Sequence, residues 1–126
     1  MLLLTVSLIV VGCGADGDVT DNSGTGDQLY PDVLAVEVSE SEGRYRFDVT
    51  ISSPYETADR YADAWRVVGA DGTVYGIREL LHDHAGEQPF TRSLDGVEIP
   101  AGTTVVVEGR DQVNGWGGST VEVTVP

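Results

Sequence analysis

Tyr45-Arg46-Phe47-Asp48-Val49-Thr50-Ile51-Ser52 alternates apolar and polar side chains along its whole length. Successive side chains of an extended strand point to opposite faces, so Tyr45, Phe47, Val49 and Ile51 share one face. A period of two, not 3.6, predicts a half-buried β-strand. Immediately upstream, Leu34, Val36 and Val38 alternate with Ala35, Glu37 and Ser39. The polar, glycine-containing Glu40-Ser41-Glu42-Gly43-Arg44 lies between the two runs, so they read as a hairpin.

Downstream the pattern repeats. Tyr61 to Val68 and Thr73 to Leu81 flank Asp71-Gly72, a strong hairpin signal because a type I′ turn needs positive φ at both central residues. A fifth strand starts at Phe90. Thr103 to Arg110 and Ser119 to Val125 complete the set, with Val121, Val123 and Val125 pointing one way. No amphipathic helix of useful length is present, and Ala58 to Ala64 permits one helical turn at most. About seven short strands separated by turns predict an all-β fold, an antiparallel β-sandwich with Greek-key connections. Residues 30–126 form this domain. It buries roughly two-thirds of its unfolded surface and folds without disulfides, since Cys13 is the one cysteine.

Val97 to Gly117, VEIPAGTTVVVEGRDQVNGWG, resembles the E–F strand region of fibronectin type III and related immunoglobulin-like domains. There an apolar-x-apolar-Pro turn leads into a strand and then a Gly-rich loop. The resemblance implies a single immunoglobulin-like sandwich. Val105 stands where that family usually carries its corner tyrosine. The absence of a Cys…Trp…Cys pattern excludes an antibody-type domain.

Leu2 to Val11 is apolar except for Thr5 and Ser7. As a helix those residues span about 15 Å, half of a roughly 30 Å hydrocarbon core, which suits a signal-peptide core and not a membrane span. The run ends in Val10-Val11-Gly12-Cys13, which resembles the lipobox of bacterial lipoproteins. That resemblance implies a signal peptide over 1–12, a diacylglyceryl group on the Cys13 thiol and cleavage between Gly12 and Cys13. The leader departs from the usual pattern in having no Lys or Arg. Residues 13–29 then read as the lipidated cysteine and a flexible acidic linker. Gly14 to Gln28 is built almost entirely from Gly, Asp, Ser, Thr and Asn, with one valine, one alanine and one glutamine, too little apolar surface to offset ordering entropy. Such a chain is exported and lipid-anchored to the cell membrane or outer membrane, with its domain outside the cytoplasm.

The formal net charge is -14, from 21 acidic residues against seven basic ones, all arginine. Binding to nucleic acid or to anionic lipid rests on cationic contacts, so this charge argues against both. The expected partners are the membrane, through the lipid on Cys13, and an envelope protein or surface ligand.

Both histidines fall in His82-Asp83-His84-Ala85-Gly86-Glu87. On a strand, His82 and His84 would project to one side, with Glu87 returning from the next turn. Imidazole and carboxylate together suit Zn²⁺, Cu²⁺ or Ni²⁺, so His82, His84 and Glu87 are candidate metal ligands. The competing expectation is a solvated loop with structural hydrogen bonds and no cofactor. The longer string from His82 to Arg92, with Tyr61-Ala62-Asp63-Ala64-Trp65 upstream, resembles a motif pair of a family of small exported bacterial proteins; the resemblance implies no activity. A further expectation is that Pro89 starts an edge strand, Phe90 packs and Arg92 pairs with a carboxylate. Asn114-Gly115-Trp116-Gly117-Gly118 reads as a mobile loop, with Trp116 and Asn114 as candidate partner-binding residues. No nucleophile elbow, P-loop or dinucleotide fingerprint is present. The leading expectation is a non-catalytic binding module. A low-affinity metal-binding protein is the alternative, and a metal-dependent enzyme stands behind both.

Overall fold

The computed structural model describes residues 28–126. The expectations for the signal peptide, for Cys13 and for most of the linker fall on residues 1–27 and lie outside it. Seven strands make up the fold: β1 (Asp32–Ser41), β2 (Arg44–Ser52), β3 (Ala62–Gly69), β4 (Val74–Glu79), β5 (Phe90–Val97), β6 (Thr104–Asp111) and β7 (Gly115–Thr124). Among the described residues there is no helix. The 58–64 stretch carries only an isolated bridge between Thr57 and Arg60 and then the start of β3.

The strands form two antiparallel sheets, one ordered β1-β2-β5 and the other β4-β3-β6-β7. The connections from β2 to β3, β4 to β5 and β5 to β6 each pass from one sheet to the other. Alternation decides which faces meet. Tyr45, Phe47, Val49 and Ile51 are all buried, as are Trp65 and Val67 of β3 and Val105 and Val107 of β6. Each fully buried apolar side chain of this size contributes about 1.5–3 kcal/mol. Val121 and Val123 pack against this core and Val125 is buried within it, on the shared face that their spacing predicts.

The turns differ from expectation in one informative way. Glu42 and Gly43, between β1 and β2, both take positive φ, 56° and 80°. The Asp71-Gly72 turn does not; only Gly72 is positive, at 89°. Gly72 N–H donates to Gly69 O at 2.9 Å and Gly69 N–H to Thr73 O at 2.8 Å. These mark a three-residue loop, a type I turn closed by a left-handed glycine, followed by a bulge between Val67 and Val68.

The Gly-rich segment is likewise not a loop. Gly115 to Gly118 open β7, and Trp116 pairs with Arg110 of β6. The reason lies in tertiary packing. A Cβ on Gly117 would fall 2.5 Å from the Tyr30 ring, and one on Gly118 would strike the Pro31 carbonyl. Bare backbone lets the incoming chain lie directly on β7. Asp111 secures the same end. Its buried carboxylate accepts hydrogen bonds from Tyr55 Oη at 2.7 Å, Arg60 Nε at 3.1 Å, Val113 N at 2.9 Å and Asn114 N at 2.8 Å. Burial alone would raise the Asp111 pKa. The bonds from Tyr55, the Asn114 and Val113 amides and Arg60 bring it below 3.8.

Candidate functional site

Strands β4 and β5 are the edges of their sheets, and they flank the same side of the sandwich. Toward one end that seam is closed. Leu94 of β5 packs over Gly76 of β4, where a Cβ would come within 2.8 Å of Leu94 Cδ2. Toward the other end it opens into a pocket of about 140 Å³ lined by Arg78, Glu79, Leu80, Leu81, His82, His84 and Arg92.

Register explains the two arginines. Arg78 pairs with Trp65, and Arg92 pairs with Val49; both partners are completely buried. Paired residues share a face, so both guanidinium groups start from the inward side of an edge strand and reach the pocket from opposite walls. Arg92 is tied to Glu87 at 3.1 Å and lies over the Phe90 ring. Its hydrogen bond holds the Glu87 carboxyl below 4.5. Arg78 Nη1 donates to the Glu79 carbonyl at 3.1 Å, and Arg78 Nε is buried without a partner.

The third wall is the 80–89 loop. His82 and His84 lie in this loop, past the end of β4 at Glu79, and not on a strand. Their rings sit 5.0 Å apart, tilted by 39°. His84 is 6% exposed and stacks on Phe90 at 3.9 Å. Burial first, and Arg92 second, push its pKa below 6.5, so its imidazole is neutral at pH 7. His82 is exposed, with Nδ1 3.0 Å from the Asp83 carbonyl. Among the described residues, no group of three or more His, Cys, Asp or Glu side chains is placed to hold a metal ion. Glu87 is engaged by Arg92, so the expected convergence of His82, His84 and Glu87 is not found.

Glu56, which the sequence analysis passes over, fixes the loop instead. Its side chain is fully buried. Oε1 accepts the His84 backbone N–H at 2.5 Å, while Oε2 accepts Ser53 Oγ at 2.5 Å and Ala62 N at 3.0 Å. Gln88 completes the knot, accepting from Ser53 N at 2.7 Å and donating to Ser53 Oγ and the His84 carbonyl. The signal was present as Ser53-x-x-Glu56, a spacing at which a hydroxyl and a carboxylate meet across one turn. Ser53 is wholly buried and bonds to the carboxylate, not to the imidazole. This Ser, Glu and His grouping therefore joins two loops and offers no accessible nucleophile.

The other candidates sit elsewhere. Trp116 lies on the outer face of the four-stranded sheet, half-buried, with the Arg66 guanidinium 3.9 Å and that of Arg110 5.2 Å from its ring. Those arginines pair in turn with Glu108 at 2.5 Å and Asp63 at 2.7 Å. Asn114 is held in the Asp111 clasp and donates to the Leu29 carbonyl at 3.2 Å. Trp116 and Asn114 are thus not brought into one site with the histidines.

No family model matches the chain, and no solved structure matches it. A protein of Halomicrobium mukohataei named "Putative lipoprotein" is 44% identical to the chain over 93 residues, which is 72% of the chain and 45% of that protein. The chain thus spans less than half the length of this relative.

Proposed function

We propose that this chain is an exported envelope lipoprotein, anchored through Cys13, whose immunoglobulin-like sandwich serves as a non-catalytic binding module. The observation that carries the reading is the 44% identity to the protein named "Putative lipoprotein", joined to the chain's own Val10-Val11-Gly12-Cys13. Acyl chains on Cys13 would each add about 0.8 kcal/mol of anchoring per buried methylene. The three-plus-four strand arrangement, with each long connection crossing between sheets, supports the immunoglobulin-like assignment. The open seam between β4 and β5 is the concave surface such a module would offer a ligand.

Fractionation of a native host carrying wild type and Cys13→Ser tests the anchor. The wild-type protein is expected in the membrane fraction with acyl label, and the variant in the soluble fraction without it. A variant that stays with the membrane and keeps its acyl label would refute the assignment.

A further inference from the structure

The arginines of this strongly acidic chain are almost fully committed. Six of the seven hold a carboxylate oxygen at 2.5–3.1 Å: Arg44, Arg46, Arg60, Arg66, Arg92 and Arg110. Among the described residues Arg78 alone has no carboxylate partner, although the formal charge is -14. This one unpaired cation lines the seam pocket, starting from the inward side of β4, with its Nε buried and unbonded. Arg78 Nη1 has the Glu79 carbonyl, but an Nε buried without an acceptor is costly, and an anion paired with this guanidinium offsets part of that cost. His84 also lines this pocket, while its buried, unbonded Nδ1 lies 4.0 Å from Glu56 Oε1.

We infer that the seam pocket receives a small organic carboxylate, with Arg78 as its principal cation and Arg92 facing it across the pocket. The inference deepens the binding-module reading and rests on it. Guanidinium presents a planar fork of donors that matches a carboxylate in two parallel bonds. A volume of about 140 Å³ is well under the roughly 300 Å³ of drug-sized sites, so it admits a head group and a short chain. Leu80 and Leu81 give that chain an apolar wall. Phosphate fits less well. Glu79 lines the pocket, and the negative field of the whole domain opposes a dianion more than a monoanion. An inward charge on an edge strand also deters pairing with another sheet. That role is met by one inward arginine on each edge, Arg78 on β4 and Arg92 on β5, but it does not require Arg78 to lack the carboxylate partner that Arg92 has or to keep a buried, unbonded Nε.

The test is titration of the full chain, purified in detergent, with isovalerate, its neutral amide isovaleramide, and inorganic phosphate, followed by amide NMR. Isovalerate is expected to shift the resonances of Arg78, His82, His84 and Arg92 saturably, and isovaleramide to leave them in place. Arg78→Gln should weaken isovalerate by about tenfold or more, the loss typical of a hydrogen bond to a charged group. Arg78→Lys should recover only part of that loss, because an ammonium lacks the fork. Arg44→Gln, far from the pocket, should bind as wild type. Spectral dispersion shows which variants are folded, and Arg92→Gln serves as the second probe should Arg78→Gln not fold. Equal binding of the amide, tighter binding of phosphate, or a folded Arg78→Gln with unchanged affinity overturns the carboxylate assignment while leaving a binding pocket in place. No shift with any probe overturns the pocket as well, and the Cys13 anchor is judged separately by fractionation.

Discussion

Replacing Glu56 by alanine should cost about 2–6 kcal/mol, because two buried backbone donors, His84 N–H and Ala62 N–H, lose their only acceptor at about 1–3 kcal/mol each. The Ser53 hydroxyl also loses its acceptor, but it still receives Gln88 Nε2 and can rotate. Glu56→Gln separates these contributions. Its amide oxygen can serve Ser53 and Ala62 while its NH₂ group opposes the His84 N–H, so about half the penalty should remain, roughly 1–3 kcal/mol. Urea unfolding of the wild type and both variants gives the ordering directly. Hydrogen exchange adds the location: each 1.4 kcal/mol lost is about a tenfold loss of protection, and in Glu56→Gln it should fall on His84 N–H before Ala62 N–H. If Glu56→Ala lies within about 0.5 kcal/mol of wild type, as surface substitutions do, then Glu56 does not hold the loop.

Two more outcomes follow from the same geometry. His84 is held below 6.5 by burial and by Arg92, so below that pH the unfolded chain binds the proton that the fold refuses. Its contribution to stability is therefore complete above about pH 6.5 and is lost as pH falls, at no more than about 1.4 kcal/mol per pH unit. His84→Phe, which keeps a ring against Phe90, should flatten that slope between about pH 6.5 and 5; an unchanged slope would assign the titration to another group. Trp116→Ala removes the surface beneath Arg66 and Arg110, each worth about 0.5–1 kcal/mol at an exposed site. An unchanged urea midpoint would show that those stacks contribute nothing.

The period-two runs were the legible part of the sequence. In β1 and β2 one face is buried and the other wet, so Val36, Phe47, Val49 and Ile51 declare their side by chemistry alone. Phe90 and Arg92 were legible too, one packed and the other paired with Glu87. The start of β7 was not. Gly115 to Gly118 have loop composition because they accommodate Tyr30 and Pro31 from far away in the chain, a contact that no local pattern encodes. The histidines share a face only if they lie on a strand, but the period-two run of Thr73 to Leu81 ends before His82, β4 stops at Glu79 and the loop is tied back to Glu56. Arg78 was hidden for a different reason. Its inward side depends on the bulge between Val67 and Val68, and a register shift of one residue exchanges the faces of a strand.

The direction of the chain through the sandwich gives the molecule a top and a bottom. Gln28 enters beside Ser52, its carbonyl held by Arg60, and Leu29 by Asn114, all at the end where β2 finishes and β5 begins. Pro126 leaves at the far end, where its carbonyl accepts Tyr45 Oη at 2.6 Å. The mouth of the seam, between Glu79 and Phe90, is at the entry end. The pocket therefore opens at the end where the chain enters, and the Glu42–Gly43 hairpin shares the opposite end with Pro126.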